Sequence, residues 1–114
     1  MSVIEVLKMI VGLATIATGA LAIARPLSIS RFTGLVAPGP RGIGEIRAWM
    51  GALLVGLGAA VVILRDPAAY RTLGIAYLTV AVTRAATMAA DRTSSPSMMM
   101  VTAVEAIFGV LLVV

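Results

Sequence analysis

Apolar residues run almost unbroken through four stretches, 3–24, 43–64, 70–90 and 97–114, separated by clusters of Pro, Gly, Ser and charged residues. Each stretch is close to the roughly 17–25 residues that a helix needs to cross a bilayer. The pattern predicts an all-α fold, an integral membrane antiparallel four-helix bundle occupying residues 1–114 as a single domain. The first connection, 25–42, carries Pro26, Pro38, Pro40, Gly34, Gly39 and Gly42, which break helical structure at both its edges. Within it Leu27, Ile29, Phe32 and Leu35 alternate with Ser28, Ser30, Arg31 and Thr33. That alternation would suit a short interfacial segment, but the simpler expectation is an ordered, turn-rich loop. In the second connection Asp66 and Pro67 can cap and start the third helix. The run Thr93, Ser94, Ser95, Pro96 is again a stop followed by a helix start.

Composition agrees with the pattern. The 114 residues are 61% hydrophobic and 12% charged, with a mean hydropathy of +1.09, far more apolar than an ordinary soluble domain. A soluble domain this small could not hide so much aliphatic surface. The net charge of +4 comes from eight Arg and one Lys against five acids, mostly at the ends of apolar stretches, where they serve as headgroup anchors. No basic run is present and aromatics are only 4%, so nucleic acid is not an expected partner. The absence of Cys and His removes thiolate and imidazole metal sites, imidazole-ligated haem and the familiar nucleophile dyads. No metal or other cofactor is expected. The first stretch is too long for a signal-peptide core, although Ala20, Ala22 and Ala24 superficially resemble a cleavage site, and is read as a mature helix.

Short second and third connections make the helices antiparallel, so the 25–42 and 91–96 connections share one membrane face and both termini share the other. Arg84 precedes Asp91 by seven residues and Glu105 follows Ser97 by eight. At 1.5 Å per residue, both lie roughly 10–12 Å inside the same face. Glu45 and Arg47 open the second helix from that face, so Glu45, Arg47, Arg84 and Glu105 gather in one half, while Glu5, Lys8 and Arg71 lie near the edge of the other. Flanking basic residues, Arg25, Arg31, Arg41 and Arg92 against Lys8, Arg65 and Arg71, lean toward a cytoplasmic polar half.

Packing faces can be read from small residues. Gly44, Ala48, Ala52, Gly56 and Ala60 recur every four residues on the second helix, a stripe that admits a close backbone. It is read first as a contact with the first or third helix and second as a homodimer seam. Gly12, Thr15, Gly19 and Ala22 make a matching face on the first helix. Glu45 and Arg47 lie about 200° apart on a helix; Glu45 shares the face of Ala48, Trp49 and Ala52, directed toward packed surface, and Arg47 either snorkels to headgroups or pairs with Glu105. Tyr77, Ala81, Arg84 and Met88 share a face of the third helix, and Met98, Thr102, Glu105 and Gly109 a face of the fourth, so Arg84 can meet Glu105. Met98, Met99 and Met100 point in three directions and cannot converge on one ion. Trp49 and Tyr70 sit near span ends as interfacial aromatics do, and Tyr77, deeper, needs a hydrogen-bond partner or a ligand.

The run Glu45-Ile46-Arg47-Ala48-Trp49-Met50-Gly51, then Gly56-Leu57-Gly58, Thr83-Arg84 and Val104-Glu105, resembles the domain-of-unknown-function 4345 family of small bacterial four-span membrane proteins. The resemblance covers most of the chain. The family's E-x-R-A-x-Y-G-G core is similar, with Met50 where an aromatic is usual and Ala52 where a second Gly is usual. It implies the same helix count and the shared polar set Glu45, Arg47, Arg84 and Glu105; the expected location is a bacterial inner (plasma) membrane. It implies no activity.

Ionisable groups in hydrocarbon are costly and make a functional site the default expectation. The leading expectation is a binding module for a lipophilic or amphipathic small molecule, with Arg84 or Arg47 on its polar head and Trp49 and Tyr77 completing the ligand set. The alternative is a membrane-embedded isomerase, cyclase or epoxide-opening enzyme using Glu105 and Glu45 as acid and base. Two further readings are a structural or accessory subunit in which Arg84 and Glu105 only lock two helices, and a small exporter. The exporter lacks the mid-membrane acid that small multidrug transporters carry in their first helix.

Overall fold

A computed structural model describes all of residues 1–114. It contains no strands: α1 spans Val3–Ala24, α2 Pro26–Thr33, α3 Pro40–Leu64, α4 Pro67–Asp91 and α5 Pro96–Val113. α1, α3, α4 and α5, of 22, 25, 25 and 18 residues, are long and apolar enough to cross a membrane. The chain is thus an all-α integral membrane protein, as its apolar pattern predicts.

Every helix after α1 begins on a proline, Pro26, Pro40, Pro67 or Pro96. At the first helical position the missing N–H would have had no intrahelical acceptor, and the fixed φ suits the helix. Asp66 accepts from the Ala69 N–H at 2.8 Å and Ser95 from the Met98 N–H at 3.3 Å, so the expected Asp66 cap forms and Ser95 caps the helix start expected after the 93–96 run. These rules also explain one departure. Residues 26–33 form α2 rather than a turn-rich loop, because Pro26 opens a helix and Gly34, at φ 81°, closes it in the left-handed conformation. For the same reason α3 starts at Pro40 rather than at 43.

The chain divides into two compact units, Met9–Leu64 and Met1–Lys8 with Arg65–Val114. In the first, α1 and α3 run antiparallel. Gly12, Thr15, Gly19 and Ala22 are all buried, the α1 face expected from sequence. A Cβ on Gly19 would lie 2.5 Å from the Gly51 carbonyl oxygen, and one on Gly58 would lie 2.7 Å from that of Gly12. The backbones therefore touch where only glycine fits.

On α3 the packing row differs from the expected stripe. Ile46, Gly51, Gly58 and Val61 are buried, whereas Gly44, Ala48, Ala52 and Gly56 are exposed. Two causes combine. An alanine methyl cannot enter the gap that Gly51 and Gly58 leave, so the glycine row takes the closest contact. In addition, Ile46–Ala52 is π-helical, and the Leu53 N–H reaches back five residues to the Ala48 carbonyl. Ile46 and Gly51 would be about 140° apart in an α-helix, but they share a face where bonds run to the fifth residue.

In the second unit α4 and α5 run antiparallel, with Gly74 against Gly109, Leu112 and Val113. Thr72, Thr79, Thr83 and Thr87 on α4 and Thr102 on α5 return their hydroxyls to the carbonyl four residues back. Such local bonds leave few side-chain donors in need of water.

Gly19→Ala and Gly56→Ala separate contact from propensity. Both gain about 1 kcal/mol of helix propensity, but only the first drives a methyl into backbone, a cost of about 1–3 kcal/mol. Denaturation in detergent followed by circular dichroism is expected to show Gly19→Ala destabilised relative to Gly56→Ala. Equal stability of the two would contradict the close approach.

Candidate functional site

The Gly74–Gly109 approach draws α4 and α5 together: a Cβ on either would lie 3.0 or 3.1 Å from the other's carbonyl oxygen. Ten residues along α4, Arg84 meets Glu105. The Arg84 Nε donates to Glu105 Oε1 at 2.8 Å and Nη2 to Oε2 at 3.4 Å, the two-pronged fork that guanidinium and carboxylate planes allow. Both oxygens of Glu105 are thus occupied. The third arm is different: Nη1 lies 3.9 Å from Met98 Sδ, a thioether that accepts hydrogen bonds weakly. Arg84 is also the more open partner, 30% exposed against 14% for Glu105.

The expected faces of both helices are therefore the ones that meet. Ala81 and Gly109 are buried, and Tyr77, Met88, Met98 and Thr102 are half-buried beside the pair. Tyr77 packs edge-on against Phe108, with ring centroids 5.6 Å apart and planes at 83°. Phe108, one turn beyond Glu105, did not stand out in the sequence. Met99 and Met100 are exposed, 57% and 61%, so of the methionine run only Met98 reaches the pair.

Glu45, Arg47 and Trp49 belong to the other unit. Arg47 takes a partner other than Glu105: its Nε donates to the Ile23 carbonyl at 3.0 Å. That carbonyl lies in the last turn of α1, where acceptors lack intrahelical donors and the helix dipole favours a cation. Glu45, Ala48, Trp49 and Ala52 are all exposed, Trp49 at 67%. The expectation that Glu45 faces packed surface is therefore corrected, because the packed side of α3 is the Ile46–Gly51 side.

One polar contact escaped the sequence reading. Lys8 and Tyr70 are both buried, at 9% and 6%, with the Lys8 ammonium 5.2 Å from the Tyr70 ring centroid. The ring face attracts the cation, so Tyr70 is a packed partner rather than an interfacial anchor without further role. The available signal was Lys8 itself, an ionisable residue inside an apolar stretch, as Arg84 and Glu105 are.

A family model described as a domain of unknown function, DUF4345, matches residues 3–114. No curated protein and no solved structure matches the chain.

The ion pair makes a sign prediction. Glu105→Leu strands the Arg84 charge and is expected to cost up to about 3 kcal/mol, whereas Arg84→Leu with Glu105→Leu removes both charges and recovers most of that loss. Unfolding of the single and double variants in detergent checks this. A double variant no more stable than the single one would contradict it.

Proposed function

This chain belongs to the DUF4345 family, and we propose that it is a membrane-embedded binding module whose Arg84–Glu105 pair holds the polar group of a lipophilic molecule. The observation that carries the reading is the third arm of Arg84, whose Nη1 has only the Met98 sulfur at 3.9 Å. Within hydrocarbon no water is at hand to satisfy a spare N–H. A carbonyl or hydroxyl oxygen on a lipophile would do so.

Charge selects among such ligands. Arg84 and Glu105 sum to zero, so an uncharged acceptor leaves the site neutral. An anion would instead bring an uncompensated charge into low dielectric beside the carboxylate. Ketones, quinone-like rings, esters and alcohols on an apolar body fit this requirement better than free acids. The Tyr77–Phe108 pair, about 10 Å further along α4 from Arg84, supplies an aromatic wall for the body of such a molecule.

The reading is tested by what the protein carries out of the membrane. Wild type and the Arg84→Met, Glu105→Met double variant, which removes the donors without stranding a charge, are purified in the same mild detergent. Their bound lipophiles are then compared by solvent extraction and mass spectrometry. A neutral, carbonyl- or hydroxyl-bearing lipophile enriched at least about tenfold with wild type is expected, the factor that one good hydrogen bond of about 1.4 kcal/mol provides. Identical extracts from two equally folded proteins would overturn the proposal.

A further inference from the structure

Where α1 ends and α2 begins, an open cleft of about 400 Å³ lies against the start of α3. Arg25, Arg31 and Arg47 line it together with Ser28, Leu27 and Ile43, and no acid does. None of the three arginines is paired with a carboxylate. Three like charges around one small space repel one another, and with no acid in the lining the compensation at hand is the carbonyl end of α1, worth about half a negative charge. Roughly two and a half positive charges stay unmatched.

The arrangement is built rather than incidental. Arg47 is fixed by its Nε on the Ile23 carbonyl at 3.0 Å, which leaves both terminal nitrogens of the fork for a guest. Arg25 is the single non-helical residue between α1 and α2, at φ −135° and ψ 66°, so the break between the helices sets its position. Arg31 follows on α2, in the last turn. Ser28 adds a hydroxyl, and Leu27 and Ile43 give the cleft an apolar side.

We propose that this cleft is a phosphate site, and that its guest is the terminal phosphate monoester of an anionic lipid headgroup, as in phosphatidic acid. A planar guanidinium matches phosphate oxygens two at a time. A phosphate monoester carries about −1.5 to −2 charges near neutral pH, close to the surplus, whereas a carboxylate would leave more than one charge unmatched. The cleft lies at the end of α1, whose 22 residues are long enough to cross a membrane. That places it at headgroup level, where basic pockets between helices engage lipid phosphates. The site draws on neither Arg84 nor Glu105, so it stands or falls apart from the neutral-ligand reading.

The test uses the full chain in phosphatidylcholine nanodiscs doped with phosphatidic acid or with diacylglycerol, the same lipid lacking phosphate, and counts retained lipids by native mass spectrometry. A parallel titration with inorganic phosphate follows the fluorescence of Trp49, the only tryptophan and a neighbour of Arg47. Because Arg47→Gln also uncaps α1, the decisive variants are Arg25→Gln and Arg31→Gln; Arg41→Gln removes the same charge from outside the cleft. Phosphatidic acid is expected to be retained about tenfold over diacylglycerol, and Arg25→Gln and Arg31→Gln to lower that several-fold, while Arg41→Gln changes it less than about twofold. Competition by inorganic phosphate would identify the free ion as a guest of the same chemistry; no competition with retained phosphatidic acid would identify the lipid. Equal losses in all three variants, or no preference for phosphate from either source, would overturn the proposal.

Discussion

Helices already surrounded by lipid gain nothing from hiding one apolar surface against another, because the lipid tails are as apolar as the side chains. What draws such helices together is close backbone approach and polar pairing, and this chain uses both. Gly12 with Gly58 and Gly19 with Gly51 bring α1 and α3 into backbone contact, and Gly74 with Gly109 does the same for α4 and α5. The 2.8 Å contact between Arg84 and Glu105 joins the same two helices as the last of these.

Polar groups are handled in two contrasting ways. Along α4 and α5 the charges cancel, hydroxyls return to their own helix, and no buried side-chain nitrogen or oxygen lacks a partner. Around the α1–α2 junction the opposite holds, with three arginines gathered and no acid among them. The first arrangement suits neutral chemistry in an apolar medium and the second suits an anion at the boundary with water. This difference in net charge, rather than the presence of arginine in both, separates the two proposed ligands.

The π-helical stretch Ile46–Ala52 coincides with the run Glu45–Gly51 on which the family resemblance rests. Its consequence is directional. Ile46 and Gly51 turn toward α1, Arg47 reaches the last turn of α1, and Glu45 and Trp49 face away from the chain. A regular α-helix would separate Ile46 from Gly51 by more than a third of a turn, so Gly51 could not meet Gly19 while Ile46 stayed buried. π segments recur at functional sites, and here one orients the arginine that anchors the cleft.

Four spans, the cap at Asp66, the helix start after the 93–96 run, the buried face of α1 and the common level of Arg84 and Glu105 follow from the sequence alone. Each rests on a local rule: apolar length, proline and cap chemistry, or a fixed rise per residue. Other features rest on distances between elements. Residues 26–33 became a helix only because Pro26 and Gly34 fell at its two ends, and α3 packs through Gly51 and Gly58 because a neighbouring backbone comes closer than any methyl allows. Lys8 found the Tyr70 ring, more than sixty residues away, and Arg47 a carbonyl on α1. The linear pattern fixed which groups had to avoid lipid; the tertiary structure chose their partners, because that choice depends on ångström-scale separations between helices that no periodicity encodes.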